Sequence, residues 1–129
     1  MNKLYKRFFL SILLCFSLLA ANAQALEDVT NGIRNGNVTM ITKYLDNTVA
    51  ITMSNNQSIY SKAQAEIVLR DFFTKNPVKQ FTVRQGGPSG TSAKYAVGAL
   101  ETSNGTFQVY LVMNLKDDNF LLREIRFEK

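Results

Sequence analysis

The sequence predicts an α+β fold in which an antiparallel sheet bends around a long helix, preceded by an N-terminal helical hairpin. Apolar residues recur at helical spacing up to Pro77 and at every second position beyond it. Turn sequences, the clearest of them Asn104-Gly105, separate the alternating segments. Because helices come first along the chain and most strands come last, we expect one domain with its helices packed on an antiparallel sheet.

The helical hairpin is predicted from two short amphipathic segments. The apolar face of the first segment repeats at i, i+3 and i+7 and consists of Leu26, Val29 and Ile33. Asn35-Gly36 is typical of a helix end, and Asn37 is typical of the residue that caps the next helix. The apolar face of that second helix consists of Val38, Ile41 and Leu45.

A β-hairpin and the long helix follow. The predicted strands are Thr48–Met53 and Gln57–Tyr60, joined by a tight turn. Ser61 and Gln64 form the pattern of a capping box, which predicts the start of the long helix. Its apolar stripe consists of Ala65, Val68, Leu69, Phe72 and Phe73. Asn76-Pro77 predicts its end.

Four strands are predicted beyond Pro77: Val78–Gln85, Lys94–Thr102, Thr106–Lys116 and Phe120–Phe127. One face of the third of these strands is apolar and the other mixed, which indicates a sheet with one face on helices and one facing a cavity or a partner. The Gly-rich stretch 86–92 lacks the lysine and the following helix of a phosphate-binding loop, and is predicted to be a flexible hairpin loop.

The N-terminal segment has the pattern of a cleaved export signal. Basic residues precede the apolar run Phe8–Leu19, and small residues follow it. The run is too short for the roughly 20 residues of a membrane-spanning helix, so we expect no stable membrane insertion after cleavage. Cleavage after Ala23 divides the chain into a signal, residues 1–23, and a single domain, residues 24–129; cleavage after Ala25 is the alternative. The predicted location is periplasmic or secreted.

Composition excludes several classes of function for residues 24–129. Loss of the three basic residues of the signal lowers Lys plus Arg from 15 to 12 against 10 acidic residues, a net charge of about +2. With no basic cluster left, we expect no nucleic acid partner. The segment contains no Cys and no His, so we expect no metal site of the usual transition-metal kind and no cofactor.

Four short motifs carry a resemblance to a known family: residues 59–65 (IYSKAQA), 71–73 (DFF), 95–98 (YAVG) and 125–128 (IRFE). The chain resembles the nuclear transport factor two-like, cystatin-like superfamily, and more narrowly a family of small exported Bacteroidetes proteins without an assigned function. The resemblance implies a curved antiparallel sheet that wraps the long helix as a cone. Enzymes of the superfamily use an Asp or an Asp–His pair deep in that cone; this chain has no His, and its four predicted meander strands contain no Asp.

Six residues are candidate ligand contacts: Tyr44, Tyr95, Tyr110, Asn114, Arg84 and Phe73. Each tyrosine joins an apolar ring to a polar tip, and Tyr110 and Asn114 share the mixed face of a central strand. Arg84, beside the Gly-rich stretch, is a candidate for binding an anion. Ordinary sheet or dimer packing is the favoured explanation for each tyrosine, and an exposed strand end explains Arg84 equally well.

Three functions remain open, and no catalytic residue is assigned. The favoured hypothesis is an exported small-ligand-binding or scaffold module that forms a homodimer through the outer face of its sheet. The second is an isomerase- or hydratase-like enzyme that uses a buried carboxylate, for which Asp46 and Glu101 are candidates, with help from a tyrosine. The third is an adaptor for an envelope protein partner, with an apolar surface patch in place of a pocket.

Overall fold

The computed structural model describes residues 24–129; the predicted signal peptide, residues 1–23, lies outside the described residues. Helix α1 covers residues 24–35 of the described chain. The other elements, in order, are α2 (Val38–Thr42), β1 (Leu45–Met53), β2 (Asn56–Ser61), α3 (Lys62–Lys75), β3 (Val78–Ser89), β4 (Ala93–Thr102), β5 (Gly105–Lys116) and β6 (Asn119–Glu128). The predicted order of elements is confirmed.

All six strands join one curved sheet in the order β2-β1-β6-β5-β4-β3. Four of the neighbouring pairs are antiparallel, as hairpin connections require. The fifth pair, β1 with β6, is parallel and joins the first hairpin to the C-terminal meander. The α+β class with its curved sheet is therefore confirmed, with one parallel pair in an otherwise antiparallel sheet.

The helical hairpin forms at the predicted turn, but its second helix is shorter than predicted. Helix α1 ends before Gly36, which has a φ of +61°, and the Asn37 side chain accepts a hydrogen bond from the Met40 N–H at 3.2 Å. The prediction that Leu45 belongs to α2 is wrong. The chain turns at residues 43–44, and the Tyr44 carbonyl accepts from the Leu122 N–H of β6, so Leu45 begins β1.

Helix α3 begins and ends where its sequence signals predict. The Ser61 hydroxyl accepts from the Gln64 N–H at 3.3 Å, and the Gln64 side chain accepts from the Ser61 N–H at 3.2 Å. At the other end the Asn76 N–H and side-chain amide both donate to the Phe72 carbonyl. These contacts fix the helix so that its apolar stripe faces the sheet.

Strand β3 is longer than predicted. The Gly-rich stretch was expected to be a loop, but residues 86–89 pair with β4, as in Gly87 with Tyr95. A bulge between Val83 and Gln85 and the φ of +148° at Gly87 let the chain keep pairing through a conformation that suits glycine. Only residues 90–92 form the turn.

The two faces of the sheet differ as predicted for β5. The face toward the helices, called the inner face, takes the buried residues Phe107, Val109, Leu111 and Met113. The opposite face, called the outer face, takes Gln108, Tyr110, Val112 and Asn114, which are half-buried or exposed. The predicted alternation of apolar and mixed positions is thereby confirmed.

Four phenylalanine rings fill the space between α3 and the inner face. Phe72 packs on Phe127 with ring centres 4.0 Å apart, and on Phe73 and Phe107 with centres 5.2 Å apart. All four rings are at most 8 % exposed. We call Phe72, Phe73, Phe107 and Phe127 the aromatic cluster. It is part of the buried core between α3 and strands β5 and β6.

Candidate binding surfaces

The interior of the described domain offers no titratable side chain. The buried polar residues of the described chain are Thr30, Thr52 and Thr102, and no Asp, Glu, Lys or Arg of residues 24–129 is buried. Of these threonines, Thr102 donates to the Gly105 carbonyl and Thr30 to the Glu27 carbonyl. Every charged side chain of the described domain is therefore at least partly exposed.

A cleft of about 990 Å³, which we call the terminal cleft, lies at one end of the described domain. It lies between the start of α1, the turn from α2 into β1, and the β5–β6 hairpin. Its lining consists of Ala25, Lys43, Tyr44, Asp46, Asn47, Leu115, Lys116, Asp117, Asp118, Asn119, Phe120 and Leu121. The volume is at the upper end of the roughly 300–1,000 Å³ typical of small-molecule sites.

The cleft lies where the pairing of β1 with β6 is interrupted. Leu45 pairs with Leu122, and the next pair is Ala50 with Glu124, so four residues of β1 oppose only Arg123 of β6. The β1–β2 register begins at Thr48. Asp46 and Asn47 consequently have no partner in either register, and β1 bulges at this place.

A hydrogen bond between α1 and the α2–β1 turn forms one wall of the cleft. The Tyr44 phenol donates to the Asp28 carboxylate, and the Gln24 side-chain amide donates to the other oxygen of Asp28 at 2.8 Å. The bond to Asp28 raises the pKa of Tyr44 to about 12, and the bonds from Tyr44 and Gln24 lower the pKa of Asp28. Both pKa values thus move away from neutral pH, which favours a fixed contact over proton transfer.

An ion pair crosses the cleft from β1 to β5. Lys116 Nζ lies 3.1 Å from an Asp46 carboxylate oxygen, and the same oxygen accepts from the Asn47 N–H at 2.7 Å. Partial burial acts to raise the pKa of Asp46, but these two hydrogen bonds outweigh it and the pKa is lowered. Asp46 therefore stays ionised at neutral pH and tethers the bulged strand.

The outer face carries three shallow depressions of about 390, 310 and 310 Å³. Two of them share Val97, Gln108 and Glu128, and Glu124 links the third to this pair. The depressions therefore form one continuous surface across the sheet. Ile59, which is 72 % exposed, lies on this surface at its β2 edge.

The centre of the outer face is a charged and aromatic group. Arg126 Nε donates to Glu124 at 2.6 Å, and the guanidinium lies 5.6 Å from the centre of the Tyr110 ring. The hydrogen bond to Glu124 raises the pKa of Arg126 further above its ordinary value. Beside Arg126, the hydroxyl of Thr52 is buried and has no hydrogen-bond partner among the described residues.

The structure separates the six predicted contact residues into three places. Tyr95, Tyr110, Asn114 and Arg84 meet at the outer face, the last three lining its depressions. Tyr44 lies in the terminal cleft. Phe73 is a core residue of the aromatic cluster, because the stripe that places it on α3 turns its ring toward Phe127. It is therefore not a surface contact.

The terminal cleft was largely missed by sequence reasoning. Of the residues singled out from the sequence as possible site residues, it contains Tyr44 and Asp46; the Glu101 carboxylate is exposed elsewhere. The β5–β6 turn was predicted as a turn, and its Asp117 and Asp118 have φ of +49° and +65°. No local signal shows that this turn comes to lie opposite the start of α1, because the two segments are far apart in the chain.

Residues 24–129 present neither a metal-binding cluster nor a membrane-spanning helix. The described part contains no cluster of three or more Asp, Glu, His or Cys side chains arranged to hold a metal ion. Within the same range, no helix has the length and apolarity needed to cross a bilayer. The terminal cleft and the outer face remain as the candidate binding surfaces.

The chain matches the model of a protein family over residues 26–128, described as a domain of unknown function, DUF4783. It belongs to this family. A DUF4783 protein from Bacteroides ovatus is 26% identical with a TM-score of 0.76, covering 79% of this chain and 92% of the relative. One from Bacteroides uniformis is 27% identical with a TM-score of 0.77, covering 80% and 94%.

Structures of more distantly related proteins share the fold of this DUF4783 protein. An NTF-2 like protein of unknown function from Shewanella oneidensis is 11% identical with a TM-score of 0.62, covering 83% of this chain and 95% of that one. At this identity the likeness shows the fold alone. No curated protein matches the chain. The predicted nuclear transport factor two-like fold and the predicted likeness to a Bacteroidetes family are confirmed.

Proposed function

We propose that this DUF4783 protein is an exported, non-catalytic binding module that dimerises through its outer face and holds a small ligand in the terminal cleft. The observation that carries the proposal is the aromatic cluster, which fills the interior of the cone with buried rings. A filled interior leaves the surface as the place of binding. The terminal cleft and the outer face are the surfaces with concave, mixed polar and apolar lining.

The enzyme hypothesis finds weaker support in the geometry. It requires a buried carboxylate within hydrogen-bond reach of a tyrosine. Asp28 and Tyr44 form such a hydrogen bond, but both side chains are only half-buried. The pKa of Asp28 is lowered and that of Tyr44 is raised, so neither group is tuned to exchange a proton near pH 7. A binding role uses the same two groups without that requirement.

The charges of the outer face favour a second copy of the same chain as its partner. The face carries four basic residues and three acidic ones, a nearly balanced set: Arg84, Arg123, Arg126, Lys129, Glu101, Glu124 and Glu128. In a two-fold interface the same patch meets itself, so a balanced patch can pair opposite charges across the axis. The apolar parts of Tyr95, Val97, Tyr110 and Val112 supply the contact area between these charges.

Light scattering tests the dimer. We expect residues 24–129 to have the mass of two chains at micromolar concentration, and Tyr110→Lys to have the mass of one. The added lysine lies beside Arg126, and two-fold symmetry doubles the repulsion at the centre of the interface. Circular dichroism verifies that the variant remains folded.

Ile67→Lys is the matched control, because Ile67 is 68 % exposed on α3, away from the sheet. It adds the same charge and leaves the dimer intact. A wild-type protein that is monomeric at these concentrations contradicts self-association, and then the exposed Ile59 and its neighbours favour an envelope protein as the partner of the outer face. A dimer lost in Ile67→Lys and kept in Tyr110→Lys places the interface elsewhere.

Export is supported by the basic, apolar and small-residue order of residues 1–25. We expect mass spectrometry of the protein from the envelope or medium fraction of its host to show a chain that begins at Gln24. Recovery of the intact chain from the cytoplasm contradicts export. A chain that begins at Leu26 is also consistent with export, with cleavage after Ala25 in place of Ala23.

A further inference from the structure

We infer that the ligand of the terminal cleft is a short peptide with free termini and one apolar side chain. The inference rests on the proposed function, since it names the chemical class of ligand for the cleft proposed there. It is carried by three features of the cleft: an apolar wall, charges of both signs on facing sides, and a stretch of β1 outside both ladders.

The apolar wall is formed by the ends of the β5–β6 hairpin. Leu115 is 39 % exposed although it follows the inward pattern of β5, so its side chain is only partly covered at this end of the sheet. Phe120, which pairs with Leu115, is 8 % exposed, and Ala25 of α1 lies on the other side of the cleft. An apolar side chain placed here removes the exposed part of Leu115 from water, at about 25 cal/mol per Å² of apolar surface.

The charges of the cleft suit a zwitterion. Asp46 and Lys116 pair with each other, which leaves Lys43 on the α2–β1 side and Asp117 with Asp118 on the hairpin side. Lys43 lies near the Asp28 carboxylate, which already accepts hydrogen bonds from Tyr44 and Gln24. A carboxylate at Lys43 and an ammonium group at the hairpin aspartates match this arrangement; a ligand of one sign meets repulsion on one side.

The hydrogen-bonding groups of the cleft suit a peptide backbone. Asp46 and Asn47 have no partner in either register of β1, which interrupts the ladder beside the cleft, and the Asn47 N–H itself donates to the Asp46 carboxylate. The Tyr44 phenol gives its proton to Asp28, so its oxygen presents only acceptor capacity to the cleft. An extended peptide supplies N–H and C=O groups that suit the Tyr44 oxygen and the interrupted stretch of β1.

Calorimetry with the tripeptide glycyl-phenylalanyl-glycine tests the inference on residues 24–129, the predicted mature chain, whose described residues form one hydrophobic core. We expect saturable binding that weakens at least tenfold when the peptide is N-acetylated and C-amidated. Lys43→Gln and Leu115→Ser each weaken it at least tenfold. Lys79→Gln, an exposed lysine of β3 far from the cleft, leaves the affinity unchanged.

Two results overturn the inference: the free tripeptide does not bind, or the capped tripeptide binds equally well. Thermal denaturation with a panel of small metabolites distinguishes two cases: the cleft binds a ligand that is not a peptide, or the cleft binds no ligand. If another compound stabilises the protein and Leu115→Ser abolishes the effect, the cleft binds a ligand of a different class. If neither the tripeptide nor any panel compound binds, the proposed cleft function fails as well.

Discussion

Phe72→Ala is expected to destabilise the domain by about 3–5 kcal/mol, the range for removing a buried aromatic ring. Phe72 is 6 % exposed and contacts Phe73, Phe107 and Phe127, so alanine leaves a cavity bounded by three rings that α3 and the sheet hold in place. The loss is a large share of the roughly 5–15 kcal/mol that stabilises a typical domain.

Urea denaturation followed by circular dichroism measures this effect as a fall in the midpoint. The control is Ile67→Ala on the same helix, where a side chain 68 % exposed is lost and the change stays within about 0.5 kcal/mol. A Phe72→Ala protein as stable as Ile67→Ala shows that the cluster is not packed as described. The filled interior, and with it the case for surface binding, then fails.

The predictable parts of the fold are those with strong local signals. The capping box at Ser61 and Gln64 fixed the start of α3, and alternation along β5 identified which residues face the helices. Asn76-Pro77 marked the change from helix to sheet. In each case the backbone conformation is dictated by residues within a few positions, so the sequence contains the information needed.

The parts that were not predictable depend on residues far apart in the chain. Leu45 has helical spacing from Ile41, but pairing with Leu122 of β6 draws it into β1. The Gly-rich stretch has the composition of a loop, but β4 pairs with it as far as Ser89. The terminal cleft arises from the same cause, because the interrupted β1–β6 pairing depends on how two distant strands meet.

Phe73 shows why a side chain's type did not reveal its role. An aromatic residue on an amphipathic stripe suits a pocket wall or a packed core, and the difference depends on whether the opposite face supplies rings of its own. Here Phe107 of β5 and Phe127 of β6 supply them. The outer-face tyrosines have no covering layer of helices, so they remain available for a partner.

Gly98→Ala is expected to destabilise the domain by about 1–3 kcal/mol through overpacking, or roughly 5–20 °C in melting temperature for a domain of this size. A Cβ at this position lies 2.6 Å from the Thr82 carbonyl oxygen and 2.8 Å from the nearest ring atom of Phe81. The ring is 3 % exposed and closes the β3 end of the core, so neither neighbour moves without disturbing the β3–β4 ladder.

Gly86→Ala is the graded comparison for Gly98→Ala, since both glycines lie in the β3–β4 pair and neither has a positive φ. A Cβ at Gly86 has its nearest neighbour, the Tyr95 carbonyl oxygen, at 3.2 Å, a contact that a shift of a few tenths of an ångström relieves near the end of the strand. We therefore expect the melting temperature to fall clearly less for Gly86→Ala than for Gly98→Ala. An equal fall in melting temperature for the two variants contradicts the close approach of Phe81 and Thr82 to Gly98. The destabilisation would then come from adding any side chain to this ladder. A larger loss at Gly98 shows that this position needs glycine because the buried Phe81 ring packs directly over its backbone. A side chain at position 98 would occupy the space that the ring fills.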